Sequence, residues 1–140
     1  MTQEEKQLLL KELSARAFYG VKAHYVGGSE RYTYEADGVV LSVDIYLRNP
    51  VYVNFINTEV ELVKPYLRPM SSMTEEEKKM VCSMNGLSDT ELNDRIEYPN
   101  MYVQNYTIET FDLFNAHHLD YRGLIEKGLA LEAPEGMYNV

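Results

Sequence analysis

The chain has 140 residues, of which 45% are hydrophobic and 25% charged, and these fractions exclude a wholly disordered protein. Its formal net charge of −9 disfavours direct binding to the phosphate backbone of nucleic acids. A single cysteine, Cys82, excludes an internal disulfide. The length predicts one domain over residues 1–140. With no signal-peptide pattern and no apolar run of roughly 20 residues, we expect no membrane segment and a reducing cytoplasm.

The first predicted element is a helix over residues 2–17. Thr2 and Glu5 have the spacing of a capping box, in which each side chain bonds the other residue's backbone N–H. The apolar face of this helix is expected to contain Leu9, Leu10, Leu13 and Ala17. Glu12 is expected to remain in water.

A series of strands follows, because apolar and polar residues then alternate with a period of two. Residues 21–25 form the first strand, and Gly27-Gly28 is interpreted as a turn. A second strand over residues 32–36 precedes the hairpin signal Asp37-Gly38. The clearest strand spans residues 39–47, and its odd-numbered side chains are expected in the core.

Two shorter strands complete this region. Asn49-Pro50 interrupts the alternation, which resumes over residues 51–55 with Phe55 on the buried face. Asn57-Thr58 is interpreted as a turn, and a last strand is expected to end near Pro65. Because short connections favour antiparallel pairing, we expect a twisted sheet or small barrel of four or five strands.

The second half is predicted to be helical. Thr74 and Glu77 have capping-box spacing and begin a helix that ends at Asn85-Gly86, since glycine favours the left-handed conformation found after helices. Residues 87–106 are interpreted mainly as a loop, with a short strand from residue 101.

Two more helices are expected near the end of the chain. Thr107 or Thr110 caps the first of them, and residues 123–131 form a short final helix. The predicted fold class is therefore α+β, with an N-terminal helix, an antiparallel sheet and two or three further helices.

Three segments of the chain are distinctive: residues 13–22 (LSARAFYGVK), 63–77 (VKPYLRPMSSMTEEE) and 115–131 (NAHHLDYRGLIEKGLAL). Together they resemble a family of small uncharacterised proteins encoded by bacteriophages, prophages and mobile elements of gut Bacteroidetes. The resemblance spans nearly the whole chain. It implies a location in the cytoplasm of a bacterial host cell and an accessory role, such as counter-defence. It implies no particular biochemical activity.

One hypothesis places an anion, such as the phosphate of a nucleotide signal, at the start of the second helix. Exposed backbone N–H groups and the helix dipole attract anions there. The residues expected to converge on this ligand are Lys64, Arg68, Ser71, Ser72, His117, Tyr121 and Arg122. In the alternative, Thr74 or Ser72 merely caps the helix, and Arg68 and Arg122 are hydrogen-bonded mainly within the fold.

The run from His117 to Arg122 contains groups that serve in catalysis and metal binding. A histidine acting as general base and oriented by Asp120 is one interpretation. The favoured one is that the histidines bond terminal helix carbonyls, while Asp120 and Arg122 hold the following turn. The ligand spacing of known metal sites is missing, so we expect no catalytic residue, no metal and no cofactor.

Tyrosine is abundant, with 12 of the 140 residues. Its ring supplies apolar area and its hydroxyl a hydrogen bond, so it is favoured at protein interfaces. The strand tyrosines expected to form an interface are Tyr32, Tyr34, Tyr46 and Tyr52. The alternative is that they complete a half-buried sheet, where cross-strand aromatic pairs are common.

The sequence therefore predicts a non-catalytic accessory protein that binds a host or phage protein. Residues 71–140 contain 5 basic and 13 acidic side chains, which suits a partner with a basic surface. The chain has neither a P-loop nor a G-x-S-x-G motif. Two alternatives stay open: a binder that sequesters a phosphate-bearing small molecule such as a nucleotide signal, and a small histidine-dependent enzyme.

Overall fold

The computed structural model describes residues 1–138 and has an α+β fold, as predicted. The helices are α1 (Gln3–Ala17), α2 (Glu75–Asn85), α3 (Asp89–Glu97), α4 (Pro99–Tyr102) and α5 (Ile108–Ala116). The strands are β1 (Lys22–Ser29), β2 (Tyr32–Val43), β3 (Val51–Val53), β4 (Ile56–Thr58), β5 (Val63–Leu67) and β6 (Leu131–Glu132). They form an open sheet of six strands in the order β4-β3-β2-β1-β5-β6, with antiparallel pairing from β4 to β5.

The chain divides into two compact units. The first comprises Met1–Tyr66 and Gly128–Leu131, and the second Leu67–Lys127 and Glu132–Val140. The first unit has 7 basic and 9 acidic side chains, a net charge of −2. The second has 6 basic and 13 acidic side chains, a net charge of −7. No helix within residues 1–138 is both long enough and apolar enough to span a bilayer.

Helix α1 begins with the predicted capping box. Thr2 and Glu5 each bond the backbone N–H of the other residue. The expectation that Glu12 remains in water is wrong, since its side chain is 1% exposed and accepts a 3.0 Å hydrogen bond from Nε of Arg16. The two residues are four apart, so they share one helical face, and the opposite charge offsets part of the cost of burial.

The first hairpin differs from the prediction. Gly27-Gly28 lies inside β1 and Asp37-Gly38 inside β2, and the turn between these strands is at residues 30–31. A Cβ atom at Gly27 would lie 2.6 Å from the ring of Tyr34 on the neighbouring strand. This glycine therefore makes room for a cross-strand aromatic ring, and it does not form a turn.

The predicted register of residues 39–47 is also wrong. Val40 is fully buried, whereas Leu41 and Ile45 are largely exposed. A bulge between Val40 and Ser42 shifts the pairing of β2 with β3. Because a bulge adds an unpaired residue to one strand, it interrupts the alternation of faces, and β2 ends at Val43.

The hairpin between β3 and β4 turns at residues 54–55. Phe55 is therefore 92% exposed, contrary to its predicted burial, and Asn57-Thr58 belongs to β4, contrary to the predicted turn. Asn54 has a φ of 53°, and its side-chain oxygen accepts a 2.9 Å hydrogen bond from the N–H of Val39. Asparagine tolerates this left-handed conformation better than most residues.

Helix α2 confirms the second predicted capping box and its glycine exit, with Gly86 at a φ of 63°. The loop and short strand expected over residues 87–106 are wrong, because α3 and α4 occupy most of this stretch. Ser88 and Glu91 form a third capping box, a signal that was readable in the sequence.

Helix α5 is capped by Thr107, one of the two predicted caps. The helix expected over residues 123–131 is wrong: turns lead to β6 instead. The core of the second unit is formed by the buried residues Met70, Met73, Val81, Leu92, Tyr106, Leu113, Phe114, Leu119 and Tyr121.

Candidate functional site

Arg68 and Glu77 form a buried ion pair in the second unit. Two hydrogen bonds of 2.8 Å join the two guanidinium Nη atoms to the two carboxylate oxygens. The same nitrogens also donate to the carbonyl of Ser72 at 3.0 Å and of His117 at 3.2 Å. All four N–H groups on the Nη atoms therefore have acceptors within the fold, which confirms that Arg68 is tied to the fold.

Glu77 is the centre of this network. Burial alone would raise the pKa of its carboxyl, but hydrogen bonds from Arg68, from the backbone of Thr74 and from His117 lower the pKa to about 2. The carboxylate is therefore ionised at neutral pH and accepts hydrogen bonds on both oxygens.

His117 lies at the end of α5, where its Nδ1 is 2.7 Å from Oε2 of Glu77. Because an ionised carboxylate only accepts hydrogen bonds, Nδ1 carries the proton in this contact. The His117 side chain is 31% exposed. The structure thus contains a carboxylate–histidine pair. Nδ1 of His117 bonds Glu77, and not a terminal helix carbonyl, as the favoured interpretation expected, or Asp120, as the enzyme interpretation expected.

Asp120 instead holds the turn that follows, as the favoured sequence interpretation predicts. Its two carboxylate oxygens accept hydrogen bonds from the backbone N–H groups of Leu124 at 2.8 Å and Ile125 at 3.0 Å. His118 is buried, and its ring stacks on that of Tyr138 with 3.9 Å between centroids.

Only some of the predicted anion ligands lie together. Arg68, Ser72 and His117 meet through the Arg68 hydrogen bonds. Ser71 lines one cavity, with Pro69 and Met70, whereas Ser72 lines another, with Arg68 and Thr74.

The other three predicted ligands have separate surroundings. Tyr121 is buried, and its hydroxyl donates to Oδ1 of Asn115 at 3.0 Å. The guanidinium carbon of Arg122 lies 5.4 Å from the centroid of the Tyr121 ring. Lys64 belongs to the first unit, where its exposed side chain projects from β5.

The four tyrosines expected at an interface have different environments. Tyr34 is half-buried against the Tyr25 ring, and the Tyr52 hydroxyl accepts a hydrogen bond from Asn57 at 3.2 Å. These two complete the sheet, as the alternative predicts. Tyr32 and Tyr46 are exposed, and Tyr46 is exposed to 92%.

Tyr46 lies in the loop from residue 44 to residue 50, between β2 and β3. Its neighbours Ile45 and Leu47 are also exposed, and we call these three residues the apolar tip. Asp44 orders the loop: its side chain accepts from the N–H of Tyr46 at 3.0 Å, and its carbonyl accepts from the N–H of Leu47 at 3.1 Å. Three consecutive apolar side chains are thus exposed on a loop with an ordered, hydrogen-bonded backbone. The strand predicted over residues 39–47 placed Ile45 and Leu47 in the core, so this exposed group was not predicted.

A second histidine cluster lies on the first unit. His24 is opposite Asp37 in the β1–β2 ladder, with Nδ1 3.0 Å from Asp37 and Nε2 3.2 Å from Glu35. The hydroxyl of Tyr66 donates to Asp37 at 2.8 Å. Hydrogen bonds to Asp37 and Glu35 raise the pKa of His24, and those from His24 and Tyr66 lower the pKa of Asp37. Sequence reasoning missed this cluster, since His24 and Asp37 become neighbours only through strand pairing.

Within residues 1–138, no three His, Cys, Asp or Glu side chains are grouped to hold a metal ion. The thiol of Cys82 is half-buried, and burial, with Asp89 and Glu91 nearby, raises its pKa.

Comparison with protein-family models, with curated proteins and with solved structures gave no match to this chain.

Proposed function

We propose that the protein is a non-catalytic binding protein that engages a protein partner through the apolar tip. The observation that carries this proposal is the exposure of three consecutive large apolar side chains on a loop that Asp44 holds in place. Large apolar groups that are exposed together favour a protein interface, and a tyrosine at the centre of such a patch is a frequent energetic anchor.

The order of the loop adds to this argument. A binding segment that is already organised loses less conformational entropy when a partner docks. Phe55, in the turn at the other end of β3, is a separate exposed apolar residue of the first unit. The net charge of −9 favours a partner of net positive charge and disfavours nucleic acid.

The finer proposal is an accessory factor of phage type, acting in counter-defence in the cytoplasm of a bacterial host. It rests on the sequence resemblance alone. The phosphate-binder alternative has less support, because Glu77 and two carbonyls occupy all four N–H groups of the Arg68 Nη atoms. The alternative of a histidine-dependent enzyme would use His117 as the general base, with Glu77 orienting its ring.

A site-specific crosslink tests the role of the apolar tip. The photoreactive amino acid p-benzoylphenylalanine would replace Tyr46 in one variant and the similarly exposed Ile108, in the second unit, in a control variant. In bacterial lysate we expect a discrete crosslinked protein from position 46 that is absent from position 108. Excess unlabelled protein should abolish the crosslink, whereas excess Tyr46→Ser protein should not. Identical crosslinks from both positions would contradict the proposal.

A further inference from the structure

A groove of about 270 Å³, the cavity that Ser71 lines, lies entirely within the second unit. Its volume is below the roughly 300–1,000 Å³ that is usual for small-molecule sites, so it has room for a side chain of a partner and not for a larger ligand. Five apolar residues from three parts of the chain form its lining: Pro69 and Met70 after β5, Ile96 and Pro99 at the junction of α3 and α4, and Ile125 before β6.

Three carboxylates also line the groove, and none of its described lining residues is basic. Asp120 accepts hydrogen bonds from backbone N–H groups, including that of Ile125, so its charge is used within the fold. Glu97 and Glu126 are exposed and have no hydrogen bond or ion pair to any residue from 1 to 138. The groove therefore combines an apolar lining with two carboxylates that have no partner in the described part of the chain.

The neighbouring charges leave this region negative. Arg95 and Lys127 each donate to a backbone carbonyl, at 2.7 and 3.4 Å, and neither lines the groove. Residues 94–97 and 120–127 together contain four acidic and three basic side chains. Helix α3 also ends at Glu97, and the C-terminal end of a helix carries a partial negative charge that favours a cation.

Exposed apolar side chains adjoin the groove. Tyr98 borders it, because this residue lies between the lining residues Glu97 and Pro99. Tyr98 and Met101 are both exposed, and the N–H of Met101 donates to the carbonyl of Tyr98 at 3.1 Å. Tyrosine and methionine are enriched at protein interfaces, so this surface gives a protein partner contacts beyond the groove itself.

We infer that the groove docks a long basic side chain, a lysine or an arginine, of a protein partner. Such a side chain has an apolar stem and a charged end, and the groove matches both parts. The stem packs on Met70, Ile96 and Ile125, and the charged end pairs with Glu97 and Glu126. This docking site lies in the second unit and does not depend on the apolar tip of the first.

The inference is tested by NMR on the full chain with three peptides of the form acetyl-Ala-X-Ala-amide. X is lysine, Nε-acetyllysine, which keeps the stem without the charge, or 2,4-diaminobutyric acid, which keeps the charge on a shorter stem. We expect the lysine peptide to shift the backbone amide signals of Ile96, Glu97, Ile125 and Glu126 in a saturable manner.

The comparison peptides should bind more weakly, each for its own reason. Since a hydrogen bond to a charged group contributes enough for about a tenfold change in affinity, acetyllysine should weaken binding about tenfold. Diaminobutyric acid should weaken it several-fold, because less apolar stem is buried. Equal binding of the lysine and acetyllysine peptides, or no shift at these residues, would overturn the inference. n-Butylamine binding as tightly as the lysine peptide would overturn it in favour of a small-amine site.

A matched pair of double variants separates the groove from general attraction to an acidic protein. Glu97→Gln combined with Glu126→Gln removes both carboxylates, and the lysine and acetyllysine peptides should then bind equally. The control, Glu76→Gln combined with Glu109→Gln, removes the same charge outside the groove and should keep the preference for lysine. Because all four glutamates are exposed, both variants should preserve the fold, which their NMR spectra verify. A preference for lysine that survives the loss of Glu97 and Glu126 would contradict the assignment.

Discussion

The two histidine–carboxylate clusters have similar chemistry but different surroundings. In the first unit, His24 lies between Glu35 and Asp37, whose side chains are 70% and 57% exposed. In the second unit, His117 contacts Glu77, whose side chain is 4% exposed and also bonded to Arg68. Water therefore screens the charges of the first-unit cluster, whereas the Glu77 carboxylate of the second-unit cluster is buried away from water.

This difference decides how much each cluster contributes to stability. Ion pairs exposed to solvent contribute between nothing and about 1 kcal/mol, because water screens them and the side chains lose freedom. Breaking a buried pair by removing one partner costs about 3–5 kcal/mol, because a charge remains in the protein interior without compensation. The second unit should therefore depend strongly on its cluster, and the first unit only weakly.

The largest effect is expected for Arg68→Ala. The change removes the bidentate partner of Glu77 and leaves the carbonyls of Ser72 and His117 without this donor. We expect a loss of about 3–5 kcal/mol in the free energy of unfolding, measured by urea denaturation. The control Arg48→Ala removes an exposed arginine and should change stability little. An unfolding midpoint of Arg68→Ala that equals or exceeds the wild-type midpoint would restore the anion-site hypothesis.

The next effect is expected at acid pH. The pKa of Glu77 is lowered from 4.5 to about 2, so the folded state binds this proton less readily than the unfolded state. Its contribution is fully present above pH 4.5 and is lost as the pH falls towards 2, about 3 kcal/mol in all. Urea denaturation between these pH values should show a steeper loss for the wild type than for Glu77→Gln. Glu76→Gln, at an exposed neighbour, should keep the wild-type slope; equal slopes for the two variants would contradict the assignment.

A smaller effect of opposite sign is expected for His24. Its pKa is raised above 6.5, so its contribution is present below pH 6.5 and is lost as the pH rises through the folded-state pKa. The difference in stability between the wild type and His24→Gln should stay below about 1 kcal/mol at pH 5.5 and vanish at alkaline pH. An NMR titration of the His24 ring should give a midpoint above 6.5. A midpoint at or below 6.5 would mean that the carboxylate contacts do not form in solution.

The smallest effect on stability is expected for Tyr46→Ser in the apolar tip. Because the side chain is 92% exposed, the free energy of unfolding should change by less than about 0.5 kcal/mol. Tyr25, a buried tyrosine of the same unit, is the matched control, and Tyr25→Ser should cost several kcal/mol. Marked destabilisation by Tyr46→Ser would show that the tip is part of the fold and would remove the observation behind the proposed interface.

The sequence predicted some members of the second-unit cluster but not its centre. Arg68, Ser72 and His117 were expected to converge on a ligand, and the structure brings them together around Glu77 instead. Glu77 was interpreted as a helix cap, a role that it also has. Its contact with His117 joins residues 40 positions apart, and no local pattern predicts a contact at that distance.

The sequence by itself determined the α+β class and the capping-box helix starts, whereas tertiary structure decided the strand register and which charged side chains are buried. Thr2 and Thr74 cap their helices as predicted, because a capping box closes within three residues and requires no distant partner. The register of β2 depends instead on its bulge against β3, and the burial of Glu12 depends on the core that forms around α1. Such features arise when strands and helices far apart in the chain pack together. Burial then determines whether a charge is screened by water or must find a partner.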